Sequence, residues 1–294
     1  MIKLNLAYPE RSDIEFNAIS YPDGQHDVRI LNFLQSNKTN LSFEDIKNSE
    51  IEIVSRFNNF IHLEFILAAT QSLREIGCED ISLRIPSLFS ARCDRKFVEG
   101  GNSYLKQITA PILNLQNYSS VTVIDVHNFK QAKRRIHNLV NESVLPQMVK
   151  EALNEIKGDN STKITYIISP DKGAKPRTEA VCSTLNGWHY KTVQCDKVRD
   201  LDTSKIIDLD VPLQDFEGID CVIIDDICSK GGTFVEISKK LKERNCGKIY
   251  LVVAHYEGTA DTNLLKESGI EKIFTTNSML DVESFDFINQ INVL

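Results

Sequence analysis

With 294 residues, 41% hydrophobic and 26% charged, the chain has enough apolar material for one large or two ordinary globular domains. A net charge of −7, from 41 acidic and 34 basic residues, excludes a protein that binds nucleic acid through a broad basic surface. Seven cysteines, scattered and never in CxxC spacing, argue against a disulfide framework or a zinc site and for a reducing cytoplasm.

No apolar run approaches the roughly 20 residues of a membrane span, and MIKLNLAYPE lacks the apolar stretch of a secretory signal, so neither membrane nor export is expected. The longest basic run, Lys133 to Arg135, reads as a solvated helix face. In chain order, Ile2–Leu6 reads as a strand and Ile51–Val54 as another. Asn58–Ile76 follows as a helix whose apolar residues Ile61, Phe65, Ala68, Ala69, Leu73 and Ile76 fall at helical spacing, with Gly77 as its stop. Ile81–Ile85 is a strand closed by Pro86, and Val121–Val126 is a strand whose end carries Asp125 and His127.

A helix over about Ser143–Lys157 leads to the polar break KGDNSTK. Ile164–Ser169 is then a strand with the loop PDKGAKPR behind it. Cys221–Asp225 is a strand, Phe234–Asn245 a helix with Phe234, Ile237 and Leu241 on one face and Gly247 as its cap, and Ile249–Ala254 the next strand. Alternating strands and helices with apolar strands predict an α/β fold with parallel sheets. Two strands end in acids, TVIDVH and CVIIDD, which suggests two similar halves divided near residue 140: residues 1–140 and 141–294.

The densest chemistry lies in CVIIDDICSKGGTF. In open α/β sheets, ligands bind beyond the carboxyl ends of the strands. There Ser229, Lys230, Gly231, Gly232 and Thr233 form a small polar loop before a helix, and its backbone N–H groups and the helix N-terminus suit a phosphate. Asp225 and Asp226 would repel that phosphate, so they face another part of the ligand, and sugar hydroxyls or Mg2+ are their natural partners. A ribose 5-phosphate skeleton satisfies both demands. The loop is neither GxxxxGK[ST] nor GxGxxG.

This segment resembles the phosphoribosyl pyrophosphate signature of type I phosphoribosyltransferases and phosphoribosyl pyrophosphate synthetases, with Lys230 where Thr or Ala is usual. Other segments resemble the synthetases, in family order: YPDGQ (Tyr21 to Gln25), SARCDRK (Ser90 to Lys96), TVIDVH, ISPDKGAKPR, DKVR (Asp196 to Arg199), AHYEG (Ala254 to Gly258) and FTTNS (Phe274 to Ser278). The resemblance implies two tandem type I phosphoribosyltransferase-like domains, each a mainly parallel sheet flanked by helices. The N-terminal one would bind ATP and the C-terminal one ribose 5-phosphate.

The implied activity is transfer of the pyrophosphoryl group of ATP to the C1 hydroxyl of ribose 5-phosphate, with Mg2+ as cofactor. Lys197 and Arg199 would be catalytic. Tyr21, Asp23, Gln25, Arg92, Cys93 and His127 would bind ATP, with Cys93 where the family has Gln and Gln25 where it has Glu. Asp171, Arg177, Asp225, Asp226, Ser229, Lys230, Gly231, Gly232 and Thr233 would bind ribose 5-phosphate, and Asp125, His127 and Asp171 would hold the metal. Because YPDGQ resembles a segment that reaches a neighbour's ATP, a homo-oligomer of two to six subunits is implied. Between Ile2–Leu6 and Tyr21 there is little room for the family's three-turn helix. Two readings stay open: a phosphoribosyltransferase that consumes the same product, and a catalytically silent regulatory subunit.

Overall fold

Short apolar runs between amphipathic stretches become parallel strands and helices. The computed structural model describes residues 1–31, 41–158, 163–199, 206–282 and 286–294, with backbone only for strand residues 197–199 and 206–208. The chain divides into two units, Met1–Glu142 with Val293–Leu294, and Ser143–Asn292.

The first unit contains β1 (Ile2–Asn5), β2 (Phe16–Ser20), β3 (His26–Ile30), α1 (Phe43–Lys47), β4 (Ile51–Val54), α2 (Phe60–Ile76), β5 (Ile81–Arg84), α3 (Ala110–Asn114), β6 (Val121–Ile124), α4 (Phe129–Lys133) and β7 (Leu139–Glu142). Its sheet is parallel, in the order β1-β4-β5-β6-β7, and β2 and β3 form a separate antiparallel ribbon. All four residues of β4 and of β6 are buried, as expected for central strands covered on both faces.

The Asn59 side chain caps α2 by accepting from the His62 N–H at 2.9 Å, and Gly77 ends it at φ 99°. The buried face, however, is Leu63, Ile66, Ala69, Thr70 and Leu73, while Ile61 is exposed. Thr70 can be buried because its hydroxyl donates to the Ile66 carbonyl at 2.7 Å and pairs with the Tyr118 hydroxyl at 2.8 Å. Between β1 and β2 a single 3-10 turn, Pro9–Arg11, replaces a three-turn helix.

The second unit contains α5 (Leu145–Lys157), β8 (Thr165–Ser169), α6 (Lys175–Cys182), β9 (Tyr190–Gln194), β10 (Asp196–Arg199), β11 (Ile206–Asp210), β12 (Cys221–Cys228), α7 (Gly232–Glu243), β13 (Ile249–Tyr256), α8 (Thr262–Glu267), β14 (Ile270–Thr276) and β15 (Ile288–Ile291). Its parallel sheet has the order β15-β14-β13-β12-β8-β9, and β10 and β11 make an antiparallel ribbon. Side chains alternate across it. Cys221 and Ile223 join the cluster with Phe234, Ile237 and Leu241 of α7, and Val222 and Ile224 join the opposite cluster with Leu145, Met148 and Val149 of α5.

Helix α5 has no side-chain cap at its N-terminus, yet it buries Leu145, Met148, Val149, Ala152, Leu153 and Ile156. Each large apolar side chain buried contributes about 1.5–3 kcal/mol against about 1 kcal/mol for a missing cap, so packing decides. Gly247 does not cap α7, which ends at Glu243 with Asn245 at φ 56°. It serves a close approach instead. A Cβ there would lie 2.3 Å from Asp220 Oδ1 and 2.5 Å from the Gly218 carbonyl. No helix among the described residues is long and apolar enough to cross a membrane.

Candidate active site

In the second unit, β12 runs through both acids to Cys228 rather than stopping at Asp225. It keeps register with β13, pairing Asp225 with Val253, Ile227 with His255 and Cys228 with Tyr256. Ser229 and exposed Lys230 follow, then Gly231 at φ 77°, and α7 starts at Gly232. The positive φ needs a glycine, and a Cβ on Gly231 would come within 3.2 Å of Ala260 Cβ and Leu265 Cδ2. No side chain caps α7 and no acid occupies its first turn. A helix start without a protein anion of its own is a setting suited to a phosphate.

Arg177 lies in the first turn of α6, not in an extended loop, because Pro176 at the helix start presets the helical φ. Its Nη1 stands 2.8 Å from Asp225 Oδ1 and 3.2 Å from Asp226 Oδ1. The Asp226 N–H also donates to Asp225 Oδ1 at 2.9 Å. Burial and then the neighbouring Asp226 hold the Asp225 carboxyl well above the usual range, against the opposing pull of Arg177.

Around this centre, Asp171 sits in the turn after β8. Its Oδ1 accepts from the Ala174 N–H at 2.9 Å, which ties the turn to the start of α6. The backbone of Lys197 and Arg199 forms β10, with Lys197 opposite Leu209 of β11, while their side chains lie outside the described residues. At the foot of this ribbon Asp196 pairs with Lys172 at 3.0 Å. Hydrogen bonds from Lys172 and Gln194 lower its carboxyl pKa.

The segments AHYEG and FTTNS meet side by side. His255 Nδ1 and Ser278 Oγ are 2.7 Å apart and buried, and the Thr276 hydroxyl donates to the Ala254 carbonyl at 2.7 Å. Neither His255 nor Ser278 stands out in the sequence, because the partners are 23 positions apart.

In the first unit, YPDGQ is the turn of the β2–β3 hairpin. Tyr21 is exposed and its N–H donates to the Gln25 carbonyl at 2.8 Å, Asp23 Oδ1 accepts from the Gln25 N–H at 3.1 Å, and Gly24 supplies φ 92°. Strand β6 stops at Ile124, short of the expected Val126, because Asp125 turns to φ 38°. Asp125 is buried and its N–H donates to the Glu142 carbonyl at 2.8 Å, whereas His127 is exposed. The alternation of a strand therefore does not govern these two residues.

Arg92 and Cys93 are exposed, and the next residue, Asp94, is buried and accepts from Asn128 Nδ2 at 3.1 Å. Asn128 Oδ1 in turn accepts from the Gln131 N–H at 3.2 Å at the start of α4. Asp94 thus links the Arg92 segment to the turn after His127. The sequence shows an acid among bases there but not its burial. Among the cysteines, Cys93 is exposed and the other six are buried. Burial pushes the Cys195 and Cys228 thiols up to about 12.

Asp125 and His127 belong to one unit and Asp171 to the other. Among the described residues, no group of three or more His, Cys, Asp or Glu forms a metal site.

Residues 138–285 match the family described as phosphoribosyl transferase domain. The ribose-phosphate pyrophosphokinase of Sulfurisphaera tokodaii is 26% identical over 266 residues, covering 88% of this chain and 82% of that one. That of Aeropyrum pernix is 27% identical over 219 residues, covering 74% and 68%. The crystal structure of phosphoribosylpyrophosphate synthetase from Mycobacterium smegmatis superposes with a TM-score of 0.76 at 16% identity, covering 99% of this chain and 95% of that one. The two-lobed α/β fold described above is of that architecture.

Proposed function

Because the chain belongs to the phosphoribosyl transferase domain family and is a divergent homologue of the ribose-phosphate pyrophosphokinases, we propose that it converts ATP and ribose 5-phosphate to phosphoribosyl pyrophosphate and AMP. The observation that carries this reading is the end of β12, where two adjacent carboxylates precede a short glycine loop and an uncapped helix N-terminus.

In this reading the residues 141–294 take the sugar. The N–H groups of Gly231, Gly232 and Thr233, with the cation of Lys230 and the hydroxyl of Ser229, hold the 5-phosphate. Asp225 and Asp226 accept hydrogen bonds from ribose hydroxyls. The residues 1–140 take ATP on Arg92, Cys93 and His127, and Tyr21, Asp23 and Gln25 of a neighbouring subunit in a homo-oligomer complete the site. The setting is cytoplasmic supply of nucleotide precursors.

The C1 oxygen attacks the β-phosphorus, the bond to the α–β bridging oxygen breaks, and AMP departs as the hydroxyl proton is lost. Such a transfer needs alignment and charge neutralisation more than covalent help from the protein. Lys197 and Arg199 on β10 supply cations for the transferring group. One or two carboxylates completed by substrate phosphates and water suit Mg2+, a hard cation that needs no all-protein cage. Asp125 in the first unit, with His127 two residues on, and Asp171 in the second would each offer a carboxylate. Bound Mg2+ supplies neutralisation of the triphosphate charge.

The test is mass detection of AMP and phosphoribosyl pyrophosphate from ATP, ribose 5-phosphate and Mg2+. We expect equimolar products, with Lys197→Ala lowering kcat by about 10²-fold or more. Pyrophosphate-dependent exchange of a nucleobase, with no AMP from ATP, would overturn the assignment in favour of a phosphoribosyltransferase. No turnover alone, with restoration by a second synthetase, would favour a regulatory subunit.

A further inference from the structure

Neighbouring residues of a strand ordinarily point to opposite faces of a sheet. Yet Asp225 and Asp226 both bring Oδ1 to one guanidinium nitrogen of Arg177, at 2.8 and 3.2 Å. All three side chains are nearly out of solvent, at 15%, 5% and 15% exposure for Asp225, Asp226 and Arg177. Two carboxylates so placed resist ionising together unless a cation stands between them. Arg177 is permanently charged. It also sits in the first turn of α6, where the helix dipole disfavours a cation. The acid pair is what favours a positive charge at that position.

We propose that Arg177 is a positioning residue that acts through Asp225 and Asp226, fixing the two carboxylates as a reader of vicinal sugar hydroxyls, and that it is not a ligand of the sugar's phosphate. This deepens the function proposed above and rests on it. With its charge taken up by the acid pair, the guanidinium has no free positive charge to offer a phosphate, and the carboxyl oxygens suit hydroxyl donors. The phosphate already has a separate electropositive place at the start of α7, where Lys230 adds a further cation. The analogue that probes the fixed acid pair is a 2-deoxypentose phosphate, which lacks one of the adjacent hydroxyls.

Other titratable groups lie at this end of the sheet: Tyr256, opposite Cys228, and Glu257, whose N–H donates to the Cys228 carbonyl at 3.0 Å. Cys228 lies further along β12, where burial raises its thiol to about 12. His255, on adjacent β13 opposite Ile227, is tied to Ser278. Without Arg177, the acid pair keeps its proton to higher pH, because the one lowering influence from a charged side chain is gone.

The experiment compares wild type, Arg177→Lys and Arg177→Met in affinity for ribose 5-phosphate, 2-deoxyribose 5-phosphate and inorganic phosphate by calorimetry, with steady-state kinetics alongside. In wild type we expect ribose 5-phosphate to be preferred over its 2-deoxy analogue by about tenfold or more, since a buried polar site penalises a missing hydroxyl. Arg177→Met should shrink that preference by about tenfold and make ribose 5-phosphate binding improve with rising pH, with inorganic phosphate affinity unchanged. Arg177→Lys keeps a cation without the planar fork and should fall between the two.

An Arg177→Met protein that loses affinity equally for all three ligands, with the preference and pH profile unchanged, would overturn the proposal. Should that variant fail to fold, Arg177→Lys decides alone: an unchanged hydroxyl preference overturns the proposal, and a reduced one supports it. Calorimetry needs no ATP turnover. A wild type that binds the sugar phosphate but forms no AMP therefore counts against the proposed reaction and leaves the role of Arg177 to be judged on binding.

Discussion

Gly231→Val is expected to lower kcat/KM for ribose 5-phosphate by about 10²-fold or more, the scale of losing aligned donors in a preorganised site. The wild-type residue holds φ 77°, a region that a β-branched residue enters only under strain of about 1–3 kcal/mol. A Cβ would also press on Ala260 Cβ and Leu265 Cδ2, each at 3.2 Å. Relief must come from the loop, and the loop carries the N–H groups at the start of α7. Gly231→Ala, with the smaller side chain, should lose less. Kinetics with each substrate varied in turn, beside a thermal melt, checks this. A Val variant within threefold of wild type would show that the loop is not the phosphate site.

Asp225→Asn is expected to lose activity while gaining stability. The amide puts an N–H donor in place of a carboxyl oxygen assigned to a ribose hydroxyl, and a buried polar group left without its partner costs about 1–3 kcal/mol, so binding of the sugar phosphate should weaken by roughly tenfold to a hundredfold. The gain in stability follows from the raised carboxyl. Below the ordinary carboxylate pKa, Asp225 is protonated in both the folded and the unfolded chain, and its contribution to stability is fully present. As the pH rises through the higher folded pKa, the buried group must ionise beside Asp226, and that contribution is lost. The substituted amide cannot ionise, so the variant avoids the loss. Melting temperatures followed from about pH 5 to about pH 9 should diverge in its favour as pH rises. Parallel curves would mean that Asp225 ionises in the fold without strain. Paired buried acids kept against stability are the kind of compromise found at functional sites.

Much of this architecture is legible in residue order, because buried parallel strands read as unbroken apolar runs. Strand β13, with all eight residues buried, begins after Lys248 and carries no charged residue before His255. The glycine loop and the helix after it are legible as well, with Phe234, Ile237 and Leu241 buried as their spacing implies. What residue order could not show is tertiary pairing. Arg177 lies 48 positions before Asp225, so nothing local identifies it as the counterion of the acids. The same holds for the buried face of α2, where the Thr70–Tyr118 hydrogen bond admits a threonine that apolar spacing would exclude. Gly247 looks like a helix stop because the close passage of Gly218 and Asp220 is invisible in one dimension. Strand β10 is hidden because three charges in four residues, Asp196, Lys197 and Arg199, mask the pattern that its pairing with β11 would otherwise show.

Six sequestered thiols and one outward-facing thiol make the chain a ready-made single-site reporter. A maleimide dye offered to the native protein has one accessible target, Cys93, beside Arg92 in the segment assigned to nucleotide. The attachment point arises without engineering, and its fluorescence would follow occupancy by ATP independently of turnover.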